Sequence, residues 1–227
     1  MMNKKRNLWV VGAIALAAGV FSACGGSSNG TEAESQKETL PTDGILGELP
    51  KAVFDFETAE AEASAQYEEM KKSDPEKALK FWQDYVNQGN ATKFKKDTLP
   101  ALSKALEGKE IPGEVAEGLP ITLEKNFTLN ANREASTTGV FTAGASNETM
   151  VMNYYPVAFD ADDNAIDVGR NIGFIDYPIK EGKKFSIGYY ISVKAENAAK
   201  WARLAKIVIM DKTSDAYKQA EAQIKGE

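Results

Sequence analysis

Apolar residues recur every three or four positions from about residue 55, which is the spacing of one face of an α-helix. The first such face consists of Phe56, Ala59, Ala63, Tyr67 and Met70, with mostly polar and charged residues between them. This pattern predicts a helix that packs one side against a neighbouring element and exposes the other.

A second helix is predicted within SDPEKALKFWQDYVNQG, residues 73–89. Asp74 suits the N-cap, Pro75 the first helical position and Gly89 the C-terminal stop. We interpret the apolar stripe of this helix as a packing surface rather than a ligand site. The stripe consists of Leu79, Trp82 and Val86, broadened by Phe81 and Tyr85.

A third helical segment is predicted within KDTLPALSKALEGK, residues 96–109. It begins near Asp97 and Thr98, has Pro100 in its first turn and ends at Gly108. The helical region, residues 51–110, is therefore expected to form three short antiparallel helices.

After EIPGEVAEGLP the chain changes to short runs rich in Ile, Val, Phe, Tyr and Thr, which favour β-strands. No long helix intervenes, and this favours an antiparallel sandwich over a doubly wound parallel sheet. Residues 111–227 are expected to form this β-sandwich-like domain, with a short closing helix at TSDAYKQAEAQIKG. The predicted fold class is α+β, with short N-terminal helices packed on the sandwich. The strand runs are ITLEKNFTL, TTGVFTA, TMVMNYYPVAFD, AIDVGRNIGFI, KFSIGYYISVKA and KIVIM.

The first 23 residues have the order of a secretory signal peptide: a basic start, Lys4 to Arg6, and an apolar stretch, Leu8 to Phe21. That stretch is shorter than the ~20 residues that a membrane-spanning helix needs. FSAC, which ends in the only cysteine of the chain, Cys24, resembles the bacterial lipobox. The resemblance implies a lipoprotein whose acylated Cys24 anchors it in a lipid bilayer.

Residues 24–50 contain no aromatic residue and few apolar ones, so we expect a flexible lipidated tether. Docking of its last apolar residues, Ile45, Leu46 and Leu49, onto the folded body is the alternative for the end of this segment. Gly25 stands where enterobacterial lipoproteins retained in the inner membrane have an aspartate. The lipoprotein resemblance therefore implies a cell-envelope protein of the outer membrane, facing the periplasm.

The net charge is −6 at pH 7, and cleavage of the basic start leaves the mature chain more acidic. An acidic chain argues against a nucleic-acid partner, because phosphate binding requires a basic surface. Membrane contact is therefore expected through the acyl chains rather than through a polybasic patch.

A second resemblance is carried by AGASNETMVMNYYPVAFDADDNAIDVG and YPIKEGKKFSIGYYISV. These stretches are similar to the immunoglobulin-like modules of bacterial lipoproteins, of which the FxLYD-like domain is the nearest form. The resemblance implies a binding or scaffolding module without an active site. It is carried by Phe159, Asp160 and Ile166, then by Pro178, Gly182 and Phe185.

The residues needed for common catalytic sites are missing from the sequence. It contains no histidine, and lipidation uses its one cysteine, so Ser-His-Asp, Cys-His and the usual zinc chemistry are excluded. There is no glycine-rich phosphate loop. A glycosidase with a pair of catalytic carboxylates is the alternative, since the chain has 33 acidic residues, but none of them stands out by its spacing. We therefore expect a non-enzymatic protein without a cofactor or metal.

DADDN, which begins at Asp160, resembles the start of a calcium-binding loop, with Asp162 and Asn164 at the third and fifth positions. The glycine and glutamate that such a loop needs are replaced by Ala165 and Asn171. We favour a polar hairpin turn, and keep a weak surface cation site as the alternative.

The tripeptide DTL, Asp97 to Leu99, resembles the O-glycosylation signal of secreted Bacteroidetes proteins, which implies modification of Thr98. The alternative is that Asp97 or Thr98 caps a helix.

Two Tyr-Tyr pairs, Tyr154–Tyr155 and Tyr189–Tyr190, suggest a contact surface. Neighbours on a strand face opposite sides, so one tyrosine of each pair should be buried and one exposed. If the two strands are adjacent, the exposed rings form one patch; plain cross-strand packing is the alternative. The expected function is a membrane-anchored module that binds another envelope protein. The alternative is a surface lipoprotein that binds carbohydrate or a host ligand.

Overall fold

A computed structural model describes residues 40–130, 135–146, 153–169 and 179–226. The predicted signal peptide, Cys24, most of the predicted tether, Asn171 and Pro178 lie outside these ranges. The helices that precede the sheets are α1 (Leu49–Ser73), α2 (Pro75–Asn87), α3 (Asn90–Lys93) and α4 (Leu99–Leu106). No helix of the described ranges is both long and apolar enough to cross a membrane.

The predicted ends of the second helix are confirmed. The carboxylate of Asp74 accepts a hydrogen bond of 3.0 Å from the backbone N–H of Lys77, and Pro75 is the first helical residue. Gly89 adopts a φ of +70°, a left-handed conformation that glycine enters without a steric penalty. The turn between α2 and α3 is therefore encoded locally.

The third helical segment begins earlier than predicted, at Asn90. A π-helical turn, Phe94–Thr98, joins α3 to α4, and the N–H of Leu99 bonds to the carbonyl of Phe94. Pro100 follows directly; proline lacks an N–H, and its ring crowds the carbonyl four residues back in a regular helix. The wider turn relieves this conflict, so the helical path continues through Pro100.

Strands β1 (Glu110–Ile111), β3 (Ile121–Asn130), β4 (Ala135–Ala143) and β7 (Lys184–Ile191) form the first sheet. Its order is β1-β3-β4-β7, and every neighbouring pair is antiparallel. The residues of β7 that enter the hydrophobic core alternate along the strand: Phe185, Ile187, Tyr189 and Ile191.

Strands β2 (Gly113–Val115), β5 (Tyr154–Phe159), β6 (Ala165–Val168) and β8 (Lys206–Asp211) form the second sheet, in the order β2-β8-β5-β6. Its β5–β6 and β5–β8 pairs are antiparallel, but β2 runs parallel to β8. The expectation of a wholly antiparallel arrangement is wrong at this pair.

The parallel β2–β8 pair arises because one extended segment, residues 110–115, contributes a strand to each of the two sheets. β1 pairs with β3 in the first sheet, and after Pro112 the chain continues as β2 in the second. Pro112 has no N–H to donate, and its carbonyl accepts a 2.9 Å hydrogen bond from Ile207. The N–H of Gly113 donates a hydrogen bond of 3.1 Å to the Asn126 side-chain oxygen.

The chain ends with a 3₁₀ turn (Ala195–Asn197), the short helix α5 (Ala198–Trp201), β8 and α6 (Asp215–Lys225). The closing helix is confirmed: the Ser214 hydroxyl caps α6 by accepting from the N–H of Tyr217. Tyr217 and Ala220 of α6 pack on a smaller cluster with Val157, Phe159, Val208 and Met210 of the second sheet.

One hydrophobic cluster joins both sheets with the first helix. It includes Phe127 and Phe141 of the first sheet, Ile207 and Ile209 of the second, and Val53 of α1. The α+β class is thereby confirmed. Contacts between α-carbons place residues 40–226 in one compact unit.

The folded unit begins earlier than the predicted end of the tether. Leu40, Leu46 and Leu49 are buried, and Leu46 and Leu49 belong to the large cluster. The docking of the last apolar residues of the tether is thereby confirmed, and Leu40 extends it, because these leucines find apolar partners on the folded unit.

A tyrosine of the first sheet bonds to the second. The buried hydroxyl of Tyr189 on β7 donates a 2.6 Å hydrogen bond to the Asp167 carboxylate on β6. Burial raises the pKa of Tyr189 well above its ordinary value, and the Asp167 charge and hydrogen bond add to the shift. The ring passes so close to Gly169 that a β-carbon there would lie 2.2 Å from Tyr189 Cδ2.

We predict that Gly169→Ala lowers the free energy of unfolding by about 2–3 kcal/mol, because the new methyl group overlaps the Tyr189 ring. In a Tyr189→Ala background the same change is expected to cost less than ~1 kcal/mol, since the ring is gone and the next atom, Pro156 Cγ, lies 3.0 Å from the added β-carbon. Urea denaturation of both single variants and the double variant measures the coupling. Equal costs in the two backgrounds would contradict the proposed contact.

Candidate functional site

The two tyrosine pairs do not form a joint surface patch. Tyr154 lies on β5 in the second sheet and Tyr189 on β7 in the first, so the expectation of adjacent strands is wrong. Both rings are fully buried, which removes Tyr154 and Tyr189 as partner contacts. The Tyr154 hydroxyl has no hydrogen-bond partner within the described residues.

The second tyrosine of each pair points away from the large cluster, as strand alternation predicted. Tyr155 is half-buried: its ring meets the Tyr217 ring edge-on at 5.9 Å, and the Lys212 ammonium lies 5.6 Å from the ring centre. Tyr190 is 46% exposed. The two rings therefore lie on different sheets, and α6 partly covers one of them.

The DADDN segment is a hairpin turn built around the carboxylate of Asp160, which is 2% exposed. One oxygen accepts hydrogen bonds from the N–H groups of Asp162 (3.0 Å) and Asn164 (2.9 Å). The Asn164 amide nitrogen contacts both oxygens, at 3.2 and 3.1 Å. Asp163 takes the left-handed conformation, with φ at 62°, which aspartate tolerates. The turn interpretation accounts for the whole motif.

Burial alone raises the pKa of the Asp160 carboxyl group. The hydrogen bonds from Asn164 and Asp162, together with the Arg203 guanidinium 3.6 Å away, outweigh this effect and hold the pKa below its ordinary value. Both oxygens of the Asp160 carboxylate, the first ligand of the hypothetical calcium loop, already accept hydrogen bonds from protein donors. Across the described ranges, no cluster of three or more acidic or cysteine side chains is placed to hold a metal ion.

Thr98 lies at the end of the π-helical turn and is half-buried. Its backbone is helical and its side chain makes no capping hydrogen bond, so the cap interpretation is wrong. The continuous helical path from Asn90 leaves no free helix start at Thr98. O-glycosylation of this residue stays a prediction.

A cavity of about 170 Å³ lies between α1, the π-helical turn and the end of β7. The Phe56 and Phe94 rings stack beside it with centroids 4.1 Å apart. Glu57 also lines it, and its carboxylate accepts a 2.7 Å hydrogen bond from the N–H of Ala195. Glu57 is thus committed to joining α1 to the 3₁₀ turn.

The α2 face, defined as Leu79, Trp82 and Val86, is the largest departure from the predicted packing. Only Ala78 of α2 is buried, and α2 packs mainly on α1. Leu79 is 55% exposed and Val86 58% exposed, whereas Trp82 is half-buried between the rings of Tyr67 and Tyr85.

The sequence contained a signal for this surface. The apolar stripe of α2 is wider than one neighbouring helix can cover, and residues 55–69 of α1 carry six acidic side chains and no basic one. When an apolar stripe is wider than the single helix that packs on it, the outer edge of the stripe remains exposed to water. The interpretation of the whole stripe as a packing surface holds for Trp82 but is wrong for Leu79 and Val86.

Models of known protein families give no match to the chain, and searches of curated proteins and of solved structures find no relative.

We predict that Asp160→Ala lowers the free energy of unfolding by about 1–3 kcal/mol at pH 7, because four donor contacts lose their acceptor. The lowered pKa means that the carboxylate contributes its full stability above about pH 4 and loses it as the pH falls through the folded-state value. The loss caused by the substitution should therefore be smaller at pH 3 than at pH 7, as measured by urea denaturation.

Asp162→Ala is the matched control, since its exposed side chain lies in the same turn, and it should change stability by less than ~0.5 kcal/mol. Calcium should leave the melting temperature of the wild-type protein unchanged. A calcium-induced rise that disappears in Asp160→Ala would instead support the cation hypothesis.

Proposed function

We propose that this protein is a lipid-anchored, non-enzymatic module of the bacterial cell envelope that binds another envelope protein through the α2 face. The observation that carries the proposal is the exposure of Leu79 and Val86 on either side of Trp82. A contiguous apolar patch on a surface helix is a common mark of a protein-interaction site, whereas isolated apolar residues are not. Residues 79, 82 and 86 are neighbours on one helical face.

The charge around this face specifies the kind of partner. The stretch of α1 behind α2, residues 55–69, carries six acidic side chains and no basic one, and the chain as a whole carries a net charge of −6. Like charges opposite each other disfavour association and opposite charges favour it. The partner surface is therefore apolar at its centre and basic at its edge.

Anchoring is proposed from the N-terminal sequence alone. Cleavage before Cys24 and acylation of its thiol give attachment to the bilayer, at ~0.8 kcal/mol for each buried CH₂. The location proposed is the outer membrane, with the folded unit facing the periplasm. An anchored partner site has the advantage that both proteins are confined to one compartment.

The folded unit is proposed to be an immunoglobulin-like β-sandwich, similar to the FxLYD-like domains. Support comes from the hydrophobic cluster shared by the two sheets and from the Tyr189–Asp167 hydrogen bond between them. The sandwich serves as the platform that holds the start of α1.

The proposed lack of enzymatic activity rests on the sequence. The chain contains no histidine, and its only cysteine is assigned to acylation. The Asp160 carboxylate belongs to a structural turn, and Tyr154 and Tyr189 belong to the core.

We predict that Leu79→Ser/Val86→Ser abolishes capture of the partner and changes the free energy of unfolding by less than ~1 kcal/mol, because both side chains are more than half exposed. The experiment compares proteins that co-purify from detergent-solubilised envelopes with the wild-type and variant chains. The decisive signal is a protein captured by the wild type and absent from the variant.

The matched control is Lys77→Ser/Asp84→Ser, which alters two exposed α2 residues about half a turn around the helix and leaves the net charge unchanged. It should capture the partner as the wild type does. Equal capture by all three chains would refute the α2 face as the site. A wild-type chain that self-associates in light scattering, or binds on a glycan array, would point to another occupant.

Cys24→Ala is predicted to move the protein from the membrane fraction to the soluble periplasmic fraction, because acylation requires the thiol. Fractionation of cells followed by immunoblotting measures this shift. A variant that stays with the membranes as fully as the wild type would contradict the lipoprotein assignment.

A further inference from the structure

A small pocket opens beside the α2 face. It lies between α1, α2 and α3 and has a volume of about 110 Å³. Its lining includes Glu60 of α1, Trp82, Tyr85 and Val86 of α2, and Thr92 of α3. We call it the Glu60 pocket.

Aromatic rings form one wall of the Glu60 pocket. The Trp82 and Tyr85 rings are stacked, with centroids 5.5 Å apart and planes 24° apart. The Tyr67 ring supports Trp82 from the side of α1, at 5.5 Å. The faces of such rings carry negative electrostatic potential and attract cations within about 6 Å.

Glu60 lines the same pocket as the Trp82 and Tyr85 rings, and its charge acts on the Tyr85 hydroxyl. Glu60 lies four residues after Phe56 and three before Ala63, so it interrupts the apolar face of α1. It is half-buried, and within the described ranges no group donates a hydrogen bond to it or pairs with it. Burial and the nearby Glu60 charge raise the pKa of the Tyr85 hydroxyl.

No basic side chain lines the pocket to compensate Glu60. The other acidic residues of the 55–69 stretch add to the negative charge of α1. A partly desolvated carboxylate beside aromatic faces is a poor site for an anion or a neutral apolar group. It suits a cation attached to a short apolar stem.

The size of the pocket limits what it can take. Sites for whole small molecules usually measure ~300–1,000 Å³, several times the volume of this one. A single ammonium group on an alkyl chain is small enough, and its stem can pack along Val86 and the Trp82 ring.

We propose that the Glu60 pocket binds the alkylammonium end of one lysine side chain on the partner polypeptide. This inference rests on the proposed function, because it supplies the basic element that the partner of the α2 face is expected to carry. The ammonium group contacts the Glu60 carboxylate and the Trp82 and Tyr85 rings.

The direct test uses n-butylammonium as the probe and n-butanol as its neutral counterpart, titrated into the full chain and followed by saturation-transfer NMR. Butylammonium should bind and butanol should bind at least about fivefold more weakly. Glu60→Gln keeps the shape of the side chain and should weaken butylammonium binding about fivefold. Glu62→Gln, an equal change of charge at an exposed position of the same helix, should alter it less than about twofold.

Equal binding of the two probes, or equal effects of Glu60→Gln and Glu62→Gln, would overturn the proposal. Circular dichroism melting of each variant verifies that the helices remain folded, and Glu60→Gln should melt within a few degrees of the wild type.

A second arm separates this inference from the proposed function. Glu60→Gln should weaken partner capture from solubilised envelopes, whereas Leu79→Ser should weaken capture and leave butylammonium binding unchanged. If the Leu79 and Val86 substitutions abolish capture but Glu60→Gln does not, the α2 face stands and the lysine pocket fails. If butylammonium binds through Glu60 but no partner is captured, the pocket stands and the proposed function fails.

Discussion

The placement of Tyr189 is the constraint on which the relation between the two sheets depends. A buried hydroxyl without a partner costs ~1–3 kcal/mol, and Asp167 supplies that partner from the opposite sheet. The ring reaches Asp167 only because Gly169 has no side chain to block its path. On its other side lies Trp201 of α5, 6.2 Å away, whose indole N–H donates to the Ser192 carbonyl just beyond β7. One aromatic side chain thus ties together β7, β6 and α5.

α1 consists of two parts that pack against different elements. Its first turns, with Leu49 and Val53, belong to the hydrophobic cluster shared by the sheets, and Glu57 bonds to the 3₁₀ turn. Farther along, Ala63 is the only buried residue, and the helix packs mainly on α2. The acidic stretch falls mostly in this second part. Folding leaves the charges of this second part in contact with solvent, so they remain available for the proposed interaction.

Local signals made part of this structure predictable. Strands such as β3 and β7 carry their own alternation, and Asp74, Gly89 and Ser214 mark helix ends through contacts within a few residues. The start of the third helical segment was missed locally, at the π-helical turn, but the failures in the sheets and on the α2 face involve information from distant residues. β1 and β2 are too short to show alternation, and only their partners at residues 127–128 and 207–209 define them as strands. The sheet membership of the tyrosine pairs depends on strand pairing that no local pattern encodes. The exposure of the α2 face depends on which elements pack on α2, and among the described residues α1 is its main neighbour.

The exposed α2 face is apolar surface whose burial would add to the free energy of unfolding, and the isolated chain leaves this surface in water. Fully burying a leucine or valine side chain is worth ~1.5–3 kcal/mol, and Leu79 and Val86 realise only part of this. The α1–α2 helix pair remains folded without this burial because its inner side is packed. There Ala63 and Ala78 are buried, and Trp82 packs on Tyr67. Small residues at that contact let the two helices approach closely, while the large apolar groups remain at the outer edge. Contacts that maintain the fold and the contacts proposed for a partner are therefore carried by different residues of the same two helices. Under the proposed function, substitutions at Leu79 or Glu60 would change the specificity of binding without disturbing the Tyr189 contact that joins the sheets.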